Sequence, residues 1–133
     1  MSTIKANTLL HSDGSTTTQP SIPALDKRMA KAWIVYDQLD PVTILASYNC
    51  SSITDREVGS SSVNMTNAIS SVNYSVSAST VGNTTAWGGT TFVSGDNQYT
   101  KTTTQFSICI RKYGSTYGIP IDVNNISAIV FAN

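Results

Sequence analysis

The chain has 133 residues, of which 40% are hydrophobic and 12% charged, and its net charge is zero. That length and apolar share suit one domain around one core, while the charged fraction is about half of what soluble domains carry. Balanced charge removes the electrostatic footprint of a nucleic-acid partner, and no apolar run approaches the roughly 18 residues of a membrane-spanning helix.

Serine and threonine together exceed a quarter of the residues. Threonine suits strands through its branched Cβ, and serine and asparagine suit turns. A surface solubilised by hydroxyls and amides is the surface of a β protein with many tight turns. Met1 to Asn7 lacks the apolar core of a signal peptide, so the chain is expected to stay where it is made. Without such a signal, the Asn-x-Ser/Thr sequons at Asn49, Asn64, Asn73, Asn83 and Asn125 are not read as glycosylated. Cys50 and Cys109 form neither a disulfide framework nor a zinc spacing, and both read as small core residues.

Residues 1–23 read as an extended arm and linker, and 24–133 as a short helix plus a head domain. In the arm, Ile4, Ala6, Thr8 and Leu10 alternate with Lys5 and Asn7, a strand-capable pattern that ends at the turn Ser12-Asp13-Gly14-Ser15. Thr16 to Pro23 is a polar, proline-punctuated linker. Pro23 then opens a helical pattern with Leu25, Met29 and Ala32 or Trp33 on one stripe. Such a narrow stripe needs a partner, either its own head domain or copies of itself, so Leu25, Met29 and Trp33 are candidate oligomer-interface residues. Lys27, Arg28 and Lys31 surround this stripe, but Asp26 sits among them, and they read as a solvated face.

Strand patterns follow. Trp33 to Tyr36 is stopped by Asp37 and Asp40-Pro41, and Val42 to Tyr48 carries Ile44, Ala46 and Tyr48 on one face. Ile53 to Asp55 leads through Gly59 and a serine cluster to Val63-Asn64-Met65, a hairpin by spacing. Asn73 to Ser79 points Tyr74, Val76 and Ala78 inward. Gly82 to Asn97 reads as a long loop around Trp87, broken by a short strand at Thr90 to Val93. Phe106 to Arg111 has the cleanest period of two, Tyr113 to Gly118 is a loop, and Ile126 to Phe131 closes the chain. Regular spacing with turn chemistry between strands predicts an all-β, antiparallel β-sandwich, of jelly-roll or immunoglobulin-like type.

Catalytic constellations are scarce. His11, the one histidine, lies beside Ser12, Asp13 and Gly14 and reads as a solvated turn residue. Glycan cleavage needs two carboxylates about 5–9 Å apart, yet Glu57 is the one glutamate and the aspartates at 13, 37, 40, 96 and 122 sit in turn contexts. Gly88-Gly89 is a loop signal and no phosphate loop. No enzyme activity, cofactor or metal is expected. Trp87, Tyr99, Tyr113 and Tyr117, in or beside loops, suit sugar recognition by ring stacking; equally, such rings cover the ends of many β domains.

Several stretches resemble bacteriophage tail-fibre proteins: Ser47-Tyr48-Asn49-Cys50-Ser51-Ser52-Ile53-Thr54-Asp55, then Val63-Asn64-Met65, Ala68, Asn73-Tyr74-Ser75-Val76, and the closing Val130-Phe131-Ala132-Asn133. Met1 to Leu9 and Pro20 to Leu25 are also similar to virion proteins of marine and cyanobacterial phages. The pattern departs at Asp55 to Ser60, where the family's hairpin usually carries an Asn-Gly type of turn. The resemblance implies a homotrimer made in the host cytoplasm and resident in the virion. Its N-terminal arm would hold other virion proteins, and its β head would meet host surface polysaccharide or protein. Neither nucleic acid nor membrane insertion is implied. The same features would serve a capsid decoration protein that clamps shell subunits.

Overall fold

The structure, a computed structural model, describes residues 10, 14, 28–80, 89–92, 101–112 and 119–132, with 89–92 and 112 followed through their backbone alone. All regular structure among them is β. The strands are β1 (Ala32–Asp37), β2 (Thr43–Tyr48), β3 (Cys50–Glu57), β4 (Ser60–Met65), β5 (Tyr74–Thr80), β6 (Gly89–Phe92), β7 (Gln105–Lys112), β8 (Ile119–Pro120) and β9 (Ile126–Ala132). The first sheet has the order β2-β1-β9-β5; the second runs β3-β4-β7-β6, with the two-residue β8 also pairing β7. Every pairing is antiparallel.

Period-two patterning explains most of these strands. Ile34 and Tyr36 of β1, Ile126, Ala128 and Val130 of β9, and Phe106, Ile108 and Ile110 of β7 all point into one core shared by both sheets. Tyr74 joins them, with Val76 and Ala78 packed at the margin, as their alternation predicts. Cys50 and Cys109 are buried free thiols, although only Cys50 belongs to the apolar cluster. The short strand expected at Thr90 to Val93 is β6, one residue earlier.

The helical pattern expected to open at Pro23 and reach Ala32 or Trp33 is absent among the described residues from 28 onward, while the strand expected at Trp33 to Tyr36 is present as β1. Arg28 and Met29 form a turn and a bend, and Ala32 and Trp33 already belong to β1. Lys31 donates its N–H to the Val130 carbonyl at 2.8 Å, and Ala32 and Trp33 pair with Val130 and Ile129. Three apolar residues at helical spacing hold no helix by themselves, whereas a ladder partner in β9 satisfies the backbone at once. The earlier part of that stripe, with Leu25, and nearly all of the arm lie outside the described residues.

In β2 the face assignment also changes. Tyr36 pairs with Ile44 while Val35 pairs with Ala46, so Leu45 is an extra residue in a bulge. A bulge shifts the alternation by one. Ile44 therefore packs on the core, while Ala46 and Tyr48 turn outward with Val35 and Trp33.

The serine cluster expected in a loop is strand instead. Glu57 pairs with Ser60 across the two-residue turn Val58-Gly59, which starts β4 three residues before the apolar signal at Val63. Ser60, Ser61 and Ser62 are all buried, as is Ser107 opposite. Buried hydroxyls persist only when bonded, and these are. Ser61 Oγ lies 2.6 Å from the Tyr36 hydroxyl, Ser62 Oγ 3.0 Å from Ser107 Oγ, and Ser60 Oγ 3.4 Å from Cys109 Sγ. Arg56 Nε donates to Ser62 Oγ at 3.2 Å.

Two left-handed residues hold the corners. Gly59 (φ 73°) donates its N–H to Asp122 Oδ1 at 2.7 Å and accepts from Ile110 N at 2.6 Å. A Cβ there would lie 2.5 Å from the Ile110 carbonyl oxygen and 2.7 Å from Ile121 N, both backbone atoms. Asn49 (φ 54°) stands where the chain passes from the first sheet to the second. Its side-chain amide donates to the carbonyls of Lys31 and Asn67 and its Oδ1 accepts from Asn67 N, so one residue ties three segments.

Gly59→Ala is expected to lower the unfolding free energy by about 3 kcal/mol or more, because backbone strain and a backbone clash coincide. Val58→Ala, next to it on the surface, should change stability by less than about 0.5 kcal/mol. Urea midpoints of the two variants check the contrast. Tyr36→Phe strands the Ser61 hydroxyl and should cost about 1–3 kcal/mol, whereas adding Ser61→Ala should recover most of that loss. A double-mutant cycle without recovery would show that the hydroxyl pair contributes nothing.

Candidate functional site

The outer face of the first sheet carries an aromatic surface patch. Trp33 is flanked across the sheet by Tyr48 on β2 and Ile129 on β9, and Ile129 by Ser77 on β5. The next row runs Ala46, Val35, Ser127, Ser79. Neighbouring strands lie about 4.8 Å apart, so residues in one row touch across the sheet. Trp33 keeps 37% of its surface exposed, as does Phe131 further along β9. The alternation that drives Ile34, Ala128 and Ala78 inward is what turns Trp33, Ile129 and Ser77 outward.

These two rows enclose a shallow trough of about 250 Å³ over β9. Trp33 and Val35 line one side, Ile129 and Ser127 the floor, and Ser77 and Ser79 the other side. Neither row contains a charged residue. Asp37, next along β1, spends Oδ1 on the Leu39 N–H at 2.9 Å.

Of the residues singled out in the sequence, Trp33 alone belongs to this face, and it arrives there from a strand. The helical stripe that would have joined it to Met29 does not form; Met29 is exposed in the bend before β1. Trp87, Tyr99, Tyr113 and Tyr117 lie outside the described residues, and so does His11. Tyr48, Ile129, Ser77, Ser79 and Ser127 were missed as a group because only strand order brings them together.

The described carboxylates show structural contacts where they are bonded: Asp37 to Leu39 and Asp122 to Gly59. Among the described residues no group of three potential metal ligands is found. Gln38 is buried with its amide nitrogen and oxygen both unpartnered, while its backbone N–H donates to the Val123 carbonyl.

Burial sets the behaviour of the titratable groups in the core. It pushes the Tyr36 phenol from 10.0 up to about 12, against the opposing pull of the Ser61 hydrogen bond, with a further upward push from Cys109. Burial alone raises Tyr74 to about 12 and the Cys50 thiol from 9.0 to about 11. The Tyr74 hydroxyl shares its proton between the carbonyls of Thr102 and Gln105, and Lys101 Nζ donates to the Tyr74 carbonyl while standing 4.4 Å from its ring centroid. A thiol held protonated is a poor nucleophile.

No protein-family model, curated protein or solved structure matches the chain.

The folded protein keeps its Tyr36 and Tyr74 protons up to about pH 12, whereas the unfolded chain releases them near 10.0. Their contribution to stability is therefore complete below pH 10 and lost as pH rises through about 12. Thermal melts across that window should show a falling midpoint, and Tyr74→Phe should flatten part of the fall. An unchanged midpoint up to pH 12 would contradict the burial of both phenols.

Proposed function

We propose that this chain is a non-enzymatic structural and adhesive subunit of a virion, a tail-fibre component that assembles as a homotrimer and attaches the particle to the host cell surface. The observation that carries the proposal is the outer face of the first sheet, a shallow surface whose two central rows hold no charge and bring Trp33, Tyr48 and Ile129 beside serines. Soluble domains hide such surfaces unless something meets them. A flat face offers little enclosure for a reaction, and it suits contacts that are individually weak and repeated over many copies. The tail-fibre resemblance of Ser47 to Asp55 and Asn73 to Val76 supports the same assignment from the sequence.

The head is a β-sandwich in this proposal, its two sheets packed over the shared core. Its first and last strands, β1 and β9, are neighbours. The constant-type immunoglobulin order divides the third and fourth strands between sheets, while here β3 and β4 are hairpin partners. A jelly-roll-like closure through the terminal strands is thus the finer assignment we favour over the immunoglobulin type.

Gold-labelled antibody against the chain should decorate fibres in a few copies per particle, and purified protein added to host cells should slow particle adsorption. Label spread over the shell in hundreds of copies would assign the chain to capsid decoration instead. Light scattering should return three times the chain mass, and a monomer at micromolar concentration would remove the trimer.

A further inference from the structure

We infer that the outer edge of β5 receives an added strand, supplied by residues 3–10 of a neighbouring copy of this chain. The inference deepens the proposed function and rests on it for the assembly of copies, while the edge itself is argued from the strand ladder.

Two hydrogen bonds fix which backbone groups of β5 face outward. Lys31 donates its N–H to the Val130 carbonyl, so Val130 turns its backbone groups toward β1. In an antiparallel ladder that direction alternates from residue to residue, and Phe131, Ile129 and Ser127 therefore turn toward β5. Their partners there are Ser75, Ser77 and Ser79. Tyr74, Val76 and Ala78 are left with N–H and C=O directed away from β9. The second bond agrees: the Tyr74 carbonyl accepts from Lys101 Nζ at 2.7 Å. Val76 and Ala78 have no such partner among the described residues.

Of the four edge strands in the two sheet orders, β2, β3 and β6 are blunted. β2 carries the bulge at Leu45. β3 is irregular at two points and bears Asp55, Arg56 and Glu57, and β6 has only 4 residues. β5 instead pairs with β9 in unbroken register over 7 residues and contains no charge, proline or glycine. Edges of that kind take up a further strand, which charges, bulges and short length prevent.

Residues 3–10 fit this edge in length, pattern and reach. Extended, they span about 26 Å, against about 23 Å for β5. Ile4, Ala6, Thr8 and Leu10 alternate with Lys5 and Asn7. Laid beside β5, the first set would cover Val76 and Ala78, which are half-buried at the margin of the core. Lys5 and Asn7 would then stand on the solvent side with Ser77 and Ser79. Residues 11–31, which join this segment to β1, reach up to about 70 Å when extended, far enough for an adjacent copy. Leu10 argues for a neighbour as the donor: 48% of its surface is exposed, so its own domain does not cover that end of the stripe. With each copy giving one strand and receiving one, the exchange closes into a ring.

Hydrogen exchange in the full-length protein reads the edge. The Val76 and Ala78 amides should exchange roughly 100-fold or more slowly compared with an unstructured chain. Ala6→Pro combined with Asn7→Pro removes a ladder donor whichever way the segment runs. It should return both amides to fast exchange while Ser77 and Ser79 stay protected. Ala78→Pro, at an outward N–H, keeps the bonds to β9 and should release Val76 in the same way, with the circular dichroism spectrum unchanged. To identify the donor, chains carrying a nitroxide at Asn7→Cys are refolded together with isotope-labelled chains that lack it. Cys50 and Cys109 are buried and stay unmodified. The Val76 and Ala78 signals of the isotope-labelled chains should broaden.

Fast exchange of Val76 and Ala78 in the full-length protein, or protection that survives the two arm prolines, overturns the inference. So does broadening confined to samples in which nitroxide and isotope share a chain, because the donor is then the chain's own arm. A trimer by light scattering with both amides unprotected removes the added strand and leaves the trimer. Arm-dependent protection between chains in an assembly of another size does the reverse.

Discussion

The contact on which the two sheets depend is the bond between the Tyr36 hydroxyl and Ser61 Oγ, 2.6 Å long and shut away from solvent. Apolar packing alone is indifferent to sliding, since one aliphatic side chain serves nearly as well as the next. A buried hydroxyl pair is not indifferent. A shift of β1 relative to β4 would leave two polar groups without partners in a low-dielectric interior, which costs more than the bond itself contributes. Tyr36 thus fixes how the first sheet lies over the second. With β1 fixed, its alternation decides that Ile34 points in and Trp33 points out.

That chain of consequence explains why so much of the molecule was legible in the sequence, and where legibility ended. Strands β5 and β7 announce themselves because Tyr74-Val76-Ala78 and Phe106-Ile108-Ile110 alternate with polar or small residues, and β9 because Ile126 to Phe131 is a dense run of β-branched and aromatic residues. Trp33 to Tyr36 reads as the strand that β1 is, but the helical stripe was misjudged because Leu25, Met29 and Trp33 are also spaced for a helix, and local spacing carries no information about β9, some ninety residues away. Ser60 to Ser62 looked like turn chemistry, which is how serine behaves without a tertiary partner; Tyr36 and Ser107 are those partners. The bulge at Leu45 left no signature at all in a run of ordinary strand residues. As for the site, the serine face of β5 was visible as an alternation, but its adjacency to Trp33 exists only through the order β2-β1-β9-β5.

Core and outer face also divide their chemistry. Inside, hydroxyls are paired with one another and phenols and a thiol are held neutral. Outside, on the first sheet, Ser77, Ser79 and Ser127 lie near Trp33, while Ser75 donates its hydroxyl to the Phe131 carbonyl. Serine hydroxyls therefore bond across strands inside the second sheet and stand at the surface of the first.

The antiparallel pairing of β1 with β9 has a mechanical side. Ala32 lies opposite Val130, so the beginning of β1 and the end of β9 emerge at the same pole of the domain. Tension applied between residues 31 and 132 would open that ladder rung by rung, each hydrogen bond bearing load in turn, since the bonds run perpendicular to the strands. A domain tethered through both of these points yields at low force. Tethered through one of them and gripped on its broad face, it leaves the ladder unloaded, and the resistance is that of the core.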